Sequence, residues 1–415
     1  MQHHSRILIL GGGTFGLSTA YHLAQAGYTN ITILEKSASV PPSDSAGNDI
    51  NKIVRAEYED PFYSRLSLEA MEAWRKPPFA PYFRQVGCIW TYSDRATTAS
   101  TNNLQRSLST IQNHPMMKGQ ITPLQSRDDF RRTVPVFDGP MRWTGYLNAM
   151  AGYAHAADVL RALYSACLAS GVRILSGDGV RELNYEGDRC VGVATQSGRQ
   201  LRAELVIVAL GASVVELLPQ VRNQVIAKAW PIAHIQLSSK EAEKLRGIPI
   251  TCAWDIGFLT EPDPRTNLMK LCPASGGYTN FDESGVSVPL EQNDFIPGRE
   301  QARLRHLLRE TLPALSERPF LKPKMCWCAE TPDTNFVIDF VPGKRGLVVA
   351  TGDSGHAFKF LPTVGIWVKS LIESEKQDVE RWRWKEEQNA GGDAGWRLGE
   401  TADLNNVEYE ARQKL

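Results

Sequence analysis

A buried strand, a glycine-rich turn and an amphipathic helix open the chain, and this order predicts an α/β fold that begins with a Rossmann-type dinucleotide-binding unit. Residues 6–10 form a continuous apolar run, and residues 11–16 read Gly-Gly-Gly-Thr-Phe-Gly. An apolar pattern at helical spacing then runs to Gly27, and a second apolar strand, 31–34, ends at Glu35. A glycine fingerprint alone is weak, but between a strand and a helix, with an acid about twenty residues on, it is strong.

Each element of this unit has a physical reason. Gly11 permits the tight turn, Gly13 lets the backbone approach a pyrophosphate, and Gly16 allows close packing of helix on strand. The first turn of the helix offers unpaired N–H groups to phosphates. Glu35 is placed to accept hydrogen bonds from ribose hydroxyls, and its charge would repel a 2′-phosphate.

A later segment favours FAD over a nicotinamide cofactor. Residues 172–175 and 190–194 are predicted strands, and they lead to the apolar run 203–212, which ends in Gly211-Ala212. A strand that returns to the first unit and ends in a small-residue turn is typical of two-domain flavoproteins. A nicotinamide dehydrogenase does not require it.

Composition limits the function classes. The chain has 415 residues, of which 42% are hydrophobic and 22% charged, so it has room for a large core and more than one domain. Lys+Arg and Asp+Glu are both 46, and this balance gives no indication of a nucleic-acid or membrane partner. The seven cysteines, an odd number, are predicted to be free thiols of an intracellular protein.

The apolar stretches and the two termini of the sequence bear on where the protein is located. No apolar stretch reaches the roughly 20 residues that cross a bilayer, and the strand at residues 6–10 leaves no room for a signal peptide before it. A soluble protein of the cytoplasm or peroxisome is therefore expected. The final Gln413-Lys414-Leu415 is similar to the peroxisomal Ser-Lys-Leu signal, but an ordinary polar tail is an equal alternative.

Four further segments carry a family pattern. Residues 45–55, 227–236, 324–339 and 352–362, together with the fingerprint, resemble the monomeric sarcosine oxidase family of FAD amine oxidases. The nearest branch is the fungal one of fructosyl amino acid oxidases and saccharopine or pipecolate oxidases. The resemblance implies an FAD-binding domain of the glutathione-reductase-like class, with an inserted α+β substrate domain whose mixed sheet covers the flavin.

The resemblance also implies a division of the chain into interleaved domains and a C-terminal tail. The expected FAD-binding segments are 1–86, 152–220 and 326–385, the expected substrate segments are 87–151 and 221–325, and the tail is 386–415. Gly395-Trp396-Arg397 in that tail is a candidate for folding over the site entrance.

Specific roles follow from the same resemblance. Cys326 matches the cysteine that bonds covalently to the flavin, although a buried free thiol is the alternative. Cys328 is expected to point to the other side of an extended segment. Lys270 matches the lysine that activates oxygen, where a fixed cation stabilises developing negative charge. Lys52 matches a cation beside the flavin.

Arg55 and Lys359 match the pair that holds the substrate carboxylate, and Lys359 is expected to face away from its two phenylalanine neighbours on an extended stretch. Alone, Lys52, Arg55 and Lys359 would each more often be exposed surface charges. The full set of expected cofactor contacts is Gly11, Gly13, Thr14, Phe15, Gly16, Glu35, Lys36, Ser45, Asn48, Lys52, Val180, Gly211, Cys326, Asp353, Gly355, His356, Phe358 and Lys359.

Two departures from the family pattern bear on the substrate. Residues 273–275 are Pro-Ala-Ser, where simple sarcosine oxidases have a histidine and fructosyl amino acid oxidases an acid. The prediction is therefore a secondary amino acid of the saccharopine, pipecolate or N-methyl type, oxidised to an imine while oxygen becomes hydrogen peroxide. A monomer without metal, nucleic-acid or membrane partners is expected.

Three alternatives stay open at this point. One is a fructosyl amino acid oxidase. The second is an FAD dehydrogenase that passes electrons to an acceptor other than oxygen. The third is an inactive nucleotide-binding scaffold, which would have no use for Lys270, Arg55 and Lys359.

Overall fold

The computed structural model describes residues 1–386 and 399–407, and these contain two large sheets, two small sheets and the helices around them. The strands, in chain order, are β1 (Ile7–Leu10), β2 (Ile31–Glu35), β3 (Lys52–Val54), β4 (Phe83–Arg84), β5 (Cys88–Ser93), β6 (Ile121–Leu124), β7 (Trp143–Asn148), β8 (Gly152–Ala154), β9 (Arg173–Ser176), β10 (Val180–Glu186), β11 (Arg189–Thr195), β12 (Gln200–Arg202), β13 (Leu205–Val208), β14 (Ile226–Gln236), β15 (Ile250–Ala253), β16 (Gly257–Leu259), β17 (Leu268–Pro273), β18 (Tyr278–Thr279), β19 (Leu321–Glu330), β20 (Val337–Phe340), β21 (Leu347–Thr351) and β22 (Ala402–Asp403). The helices are α1 (Thr14–Gln25), α2 (Pro61–Trp74), α3 (Thr98–Ser109), α4 (Arg127–Thr133), α5 (Ala156–Ala169), α6 (Val214–Leu217), α7 (Ser239–Lys244), α8 (Gly298–Thr311) and α9 (Val364–Ser374).

The first large sheet is the dinucleotide-binding one. Its order is β20-β21-β13-β1-β2-β9, and all neighbours are parallel except β20 and β21. Every residue of β1, β2 and β13 is buried, as continuous apolar runs in a doubly covered parallel sheet should be. The predicted return strand is confirmed, because β13 pairs with β1.

The turn between β1 and α1 depends on two glycines. Gly11 has a φ of +105°, which an L side chain rarely adopts. A Cβ on Gly16 would lie 1.9 Å from the carbonyl oxygen of Gly11, so only glycine lets α1 pack this closely on the turn. Helix α1 then lies between α5 and α9.

The second large sheet has ten strands in the order β22-β18-β14-β17-β16-β15-β5-β7-β6, with β19 also paired to β14. It is mixed, since β5 and β15 run parallel while most other neighbours are antiparallel. The long strand β14 connects β17 to β19, which carries Cys326. Strand β22 adds part of the C-terminal tail to β18.

Two three-stranded sheets complete the described architecture. One is β10-β11-β12, and the other is β3-β8-β4. In the second, Lys52 pairs in register with Ala154, which fixes the segment that runs on to Arg55. The predicted α/β class with a mixed sheet is thus confirmed. Within the described residues, no helix combines the length and apolarity needed to cross a membrane.

Candidate active site

The glycine fingerprint and the end of β2 form one hydrogen-bonded unit. Glu35 Oε2 accepts from the Gly12 N–H at 2.7 Å, and Oε1 accepts from the Ser37 N–H at 2.8 Å. Burial raises the pKa of Glu35, and the two backbone bonds partly oppose that shift. Lys36 instead forms an ion pair with Asp44 at 2.8 Å on the surface.

This unit fits a dinucleotide. Helix α1 has glycine at its N-cap and no acidic residue in its first turn, so its positive end has no side-chain counter-charge. A Cβ on Gly13 would meet only the Ser45 hydroxyl, at 3.7 Å, which leaves room for a pyrophosphate. The 45–48 turn closes one side of this cradle, since a Cβ on Gly47 would lie 3.2 Å from Thr14 Oγ1.

The remaining dinucleotide contacts lie around the same cradle. A Cβ on Gly179, next to Val180, would be 3.1 Å from Lys36 Cβ, and Gly211 follows β13 with a φ of +56°. Phe15 is buried and meets Phe336 edge-on. Asn48 donates its N–H to the Ser45 carbonyl at 3.0 Å. The structure therefore brings the predicted adenosine and phosphate contacts together.

A buried carboxylate joins the two predicted flavin-side lysines. Asp49 Oδ2 lies 2.5 Å from Lys270 Nζ and 3.0 Å from Lys52 Nζ. Lys270 also donates to the Asn51 carbonyl at 2.9 Å. The side chains of Asp49 and Lys270 are only 2% and 3% exposed, so the ion pair is desolvated.

The charges of this cluster support one another. Burial alone would raise the pKa of Asp49, but attraction to Lys270 and Lys52 outweighs it and holds that pKa well below its usual range. Burial alone would likewise lower the pKa of Lys52, but Asp49 outweighs it and raises that pKa. One carboxylate and two lysine side chains therefore lie together in this cluster.

The two cysteines of β19 face this cluster from the sheet. Met325, Trp327 and Ala329 point into the apolar core behind β19, whereas the sulfurs of Cys326 and Cys328 both act on the charge of Lys52. The expected opposite orientation of Cys328 was wrong, because strand residues two positions apart share a face. Both thiols therefore face Lys52.

Arg55 lies at the other end of the site, between two aromatic rings. Its guanidinium carbon is 4.9 Å from the ring centre of Tyr58 and 4.7 Å from that of Trp90. In the described part of the chain, Arg55 forms no ion pair with an acidic side chain. A guanidinium held by ring faces keeps its donor edge available for a carboxylate.

Lys359 reaches the same tyrosine from a 3-10 helix, Ala357–Phe360. The expected extended stretch was wrong: the chain turns there, and Phe358 stacks on Trp74 with ring centres 6.3 Å apart. Lys359 Nζ donates to Tyr58 Oη at 2.6 Å and to the His356 carbonyl at 2.9 Å. Burial, and then the charge of Arg55, lower the pKa of Lys359 well below its ordinary value despite an opposing effect of Glu57.

The loop before Lys359 is hydrogen-bonded to β19 and to the turn that precedes β20. Asp353 accepts from the Ala329 N–H at 3.1 Å and from the Gly355 N–H at 3.0 Å. His356 contacts Tyr58 Oη through Nδ1 and the Thr334 carbonyl through Nε2, both at 2.9 Å. The 353–359 loop thus connects the strand of Cys326 to the end of the site that contains Arg55 and Tyr58.

Sequence reasoning missed three residues of this region. Asp49 could have been suspected from its position three residues before Lys52, where a buried lysine needs a counter-charge. Tyr58 follows Arg55 by three residues and contacts both substrate-side cations. Glu300 comes from α8, far along the chain, and no local signal indicated that it reaches Ser275.

Comparison with known proteins identifies the family. A model described as FAD dependent oxidoreductase (DAO) matches residues 6–371. The chain belongs to this family. It is 33% identical to L-saccharopine oxidase of Schizosaccharomyces pombe over 94% of this chain and 95% of the relative. It is 22% identical to monomeric sarcosine oxidase of a Bacillus species over 91% and 94%.

Solved structures give the same assignment of fold. Fructosamine oxidase (Amadoriase II) of Aspergillus fumigatus superposes with a TM-score of 0.88 at 31% identity over 99% of this chain and 98% of the other. Fructosyl peptide oxidase of E. terrenum gives 0.90 at 30% identity over 99% and 100%. Together the comparisons confirm the predicted family, fold class, FAD dependence and reaction class, oxidation of a secondary amino acid with oxygen as acceptor.

Replacing Asp49 by Asn should destabilise the protein strongly. We expect a loss of about 3 kcal/mol at neutral pH, because two buried ammonium groups lose their counter-charge. Without Asp49, a buried lysine has a folded-state pKa below its unfolded value, so stability rises with pH between the two. The deficit relative to the unsubstituted protein should therefore shrink as pH is raised from about 7 to about 9.

Denaturant unfolding at several pH values measures both effects. Asp44→Asn is the matched control, because it removes the partner of Lys36 from a surface pair and should cost under about 1 kcal/mol. A small, pH-independent deficit for Asp49→Asn would show that the cluster does not hold its lysines charged.

Proposed function

We propose that this protein is an FAD-dependent oxidase of a secondary amino acid of the saccharopine, pipecolate or N-methyl type, with a covalently attached flavin. The observation that carries the proposal is the division of cations. One pair, Arg55 and Lys359, shares Tyr58 and has no acidic ion-pair partner among the described residues. The other pair, Lys52 on β3 and Lys270 on β17, is bound to Asp49.

The first pair is the proposed binding site for the substrate carboxylate. Arg55 supplies two parallel donors and is held by the aromatic faces of Tyr58 and Trp90, and Lys359, hydrogen-bonded to Tyr58, supplies a second nitrogen donor. A carboxylate fixed there orients the neighbouring C–H and C–N bonds relative to the rest of the site.

Unpaired polar groups line the wall beside Arg55. Trp90 and Trp254 meet edge-on, with ring centres 5.3 Å apart, and among the described residues their indole N–H groups have no hydrogen-bond partner. The buried Tyr146 hydroxyl has none either. Buried donors without partners cost free energy, which a polar substrate group would recover.

The cofactor end fits the proposed chemistry. FAD, when bound, supplies the two-electron oxidation and passes the electrons to oxygen. The residues of this chain hold the dinucleotide in the Gly11–Gly16 cradle and direct the Lys52 and Lys270 charges to where negative charge develops. Cys326 is the proposed attachment residue, on the basis of its position on β19 facing Lys52.

A fructosyl amino acid oxidase is the second candidate, because the solved structures of a fructosamine oxidase and a fructosyl peptide oxidase superpose well on this chain. Ser275 does meet an acid, Glu300, at 3.3 Å. However, Glu300 is fully buried and already accepts from Tyr278, Arg299 and Arg303. An acid engaged in this way is a poor partner for sugar hydroxyls, so the geometry favours the first candidate.

Peroxide release over a substrate panel tests the function. We expect turnover of at least one of saccharopine, pipecolate and an N-methyl amino acid, with one hydrogen peroxide per imine. Fructosyl glycine and fructosyl lysine should react at least about a hundredfold more slowly, because the site lacks a free acid for the sugar. Preferential oxidation of the fructosyl compounds would favour the second candidate, and turnover with a dye but no peroxide in air would indicate a dehydrogenase.

Lys270→Met should separate the two half-reactions. Reduction of the enzyme by substrate under nitrogen should stay nearly unchanged, while reoxidation by oxygen should slow by about two orders of magnitude or more, because a preorganised charge is lost. Stopped-flow absorbance measures each step. Lys228→Met is the matched control, because it removes from β14 a cation that is paired with Glu330. Reoxidation at full speed would remove the proposed role of Lys270.

The attachment of the flavin is tested by two alanine variants. Acid precipitation of the unsubstituted protein and of Cys328→Ala should leave the yellow colour in the pellet. The same treatment of Cys326→Ala should release it to the supernatant. Since both thiols face Lys52, the reverse result would assign the bond to Cys328, and release from all three proteins would exclude a covalent link.

Several expectations stay predictions. The domain boundaries, the monomeric state and the cytoplasmic or peroxisomal location belong to this group. Gly395-Trp396-Arg397 and Gln413-Lys414-Leu415 lie outside the described residues.

A further inference from the structure

We propose that Lys359 is an uncharged amine in the substrate-free enzyme and takes the proton that the substrate nitrogen must lose before oxidation. This inference rests on the proposed function and deepens it. An amine oxidised next to its nitrogen needs a free lone pair there, whereas secondary amino acids in water are ammonium carboxylates. The two buried carboxylates of this region are already engaged, Asp49 by Lys52 and Lys270 and Glu57 by Asn148 and the Ala56 N–H.

The hydrogen bonds around Lys359 fix their own directions. The Thr334 carbonyl can only accept, so His356 Nε2 carries the hydrogen of that bond. In the neutral form of this ring Nδ1 is an acceptor, and the Tyr58 hydroxyl donates to it. Tyr58 Oη is therefore an acceptor for Lys359.

The N–H donors of the Lys359 amine can be counted in the same way. Its two hydrogen-bond neighbours, Tyr58 Oη and the His356 carbonyl, both accept, which uses two N–H bonds. A neutral amine has two N–H bonds and one lone pair, so it satisfies both acceptors and keeps the lone pair for a proton. A charged ammonium would have a third N–H with no acceptor among the described residues.

The charges around Lys359 favour the neutral form. The residue is 5% exposed, and no acidic side chain forms an ion pair with it in the described ranges. Arg55, from the segment after β3, lies over the same tyrosine ring and repels a second cation. Glu57 opposes this effect, but its carboxylate accepts from the Asn148 amide at 2.6 Å and from the Ala56 N–H at 3.0 Å and forms no ion pair with Lys359.

The other elements packed on this 3-10 helix add no counter-charge. Helix α2 presents Tyr63, whose burial keeps its hydroxyl protonated by raising its pKa, and the Trp74 N–H, which donates to the Lys359 carbonyl. Strand β3 presents Lys52, which is already paired with Asp49. The His356 ring, which contacts Tyr58, adds no negative charge in either protonation state.

Substrate binding reverses this balance. A carboxylate beside Arg55 and Lys359 adds one negative charge, which favours the ammonium form of Lys359. The substrate nitrogen loses one proton and Lys359 Nζ gains one, so no proton is exchanged with solvent and no bond to carbon changes in this step. The product is a neutral substrate amine held by a charged Arg55–Lys359 pair.

Proton uptake on binding of methoxyacetate tests the inference. This probe has the carboxylate but an ether oxygen in place of the amine, so it brings no proton. Calorimetric titration of the flavin-containing enzyme in two buffers of different ionisation enthalpy gives the protons taken up per bound molecule. We expect uptake to rise towards one as pH approaches about 9.5, below the ordinary lysine pKa of about 10.4. The dissociation constant should rise about tenfold per pH unit in that range.

Lys359→Arg is the decisive variant, because arginine binds a carboxylate but stays charged. It should bind methoxyacetate with no proton uptake and a dissociation constant that does not change with pH. Lys376→Arg, the same replacement at an exposed lysine, should behave like the unsubstituted enzyme. Lys359→Met should also lose the uptake, so the test does not depend on how well arginine fits.

The outcomes distinguish the two levels of the proposal. Binding without uptake in the unsubstituted enzyme, or equal uptake in Lys359→Arg and Lys359→Met, would overturn the role of Lys359 and leave the proposed function intact. No binding of methoxyacetate at any pH would instead contradict the carboxylate site itself, and with it the proposed function.

Discussion

The ion pair between Asp49 and Lys270 is the interaction on which the rest of the site depends. Asp49 belongs to the N-terminal segment that follows the dinucleotide cradle, and Lys270 to the middle of the ten-stranded sheet. Their contact, almost fully removed from water, joins that segment to the ten-stranded sheet. Lys52 shares the same carboxylate oxygen, so one acid sets the position and charge of both cations.

The sequence was most informative where backbone conformation dictates residue type. The β1–α1–β2 unit, Glu35 and the return strand β13 follow from glycine positions and from apolar runs, because few other structures tolerate that pattern. The candidate residues of the site were also predictable, since the resemblance supplied them one by one. Lys270, Arg55, Lys359 and Cys326 were proposed from the motifs around them, and their roles stay predictions.

Partners contributed from distant segments were not predictable. Asp49 lies near Lys52 in sequence, but its bond to Lys270 reaches the ten-stranded sheet. Glu300 reaches Ser275 only because α8 packs against β17. The alternation of a strand also misled the interpretation of Lys359, since a 3-10 turn at Ala357–Phe360 aims its amine at Tyr58 instead. Local pattern determines which residues are present, and tertiary packing determines what each one meets.

The site uses the same residue type in two opposite electrostatic states. Lys52 and Lys270 lie beside the buried Asp49, and the proposed function uses them as fixed charges near the cofactor. Lys359 is buried beside an arginine and a tyrosine, so its charge depends on whether a carboxylate is present. A fixed cation suits the reduction of oxygen, whereas a conditional one suits the removal of a proton from the substrate. The neighbours of each lysine, and not the lysine side chain itself, determine when the ammonium form is present. Exchanging the two environments would therefore remove both functions.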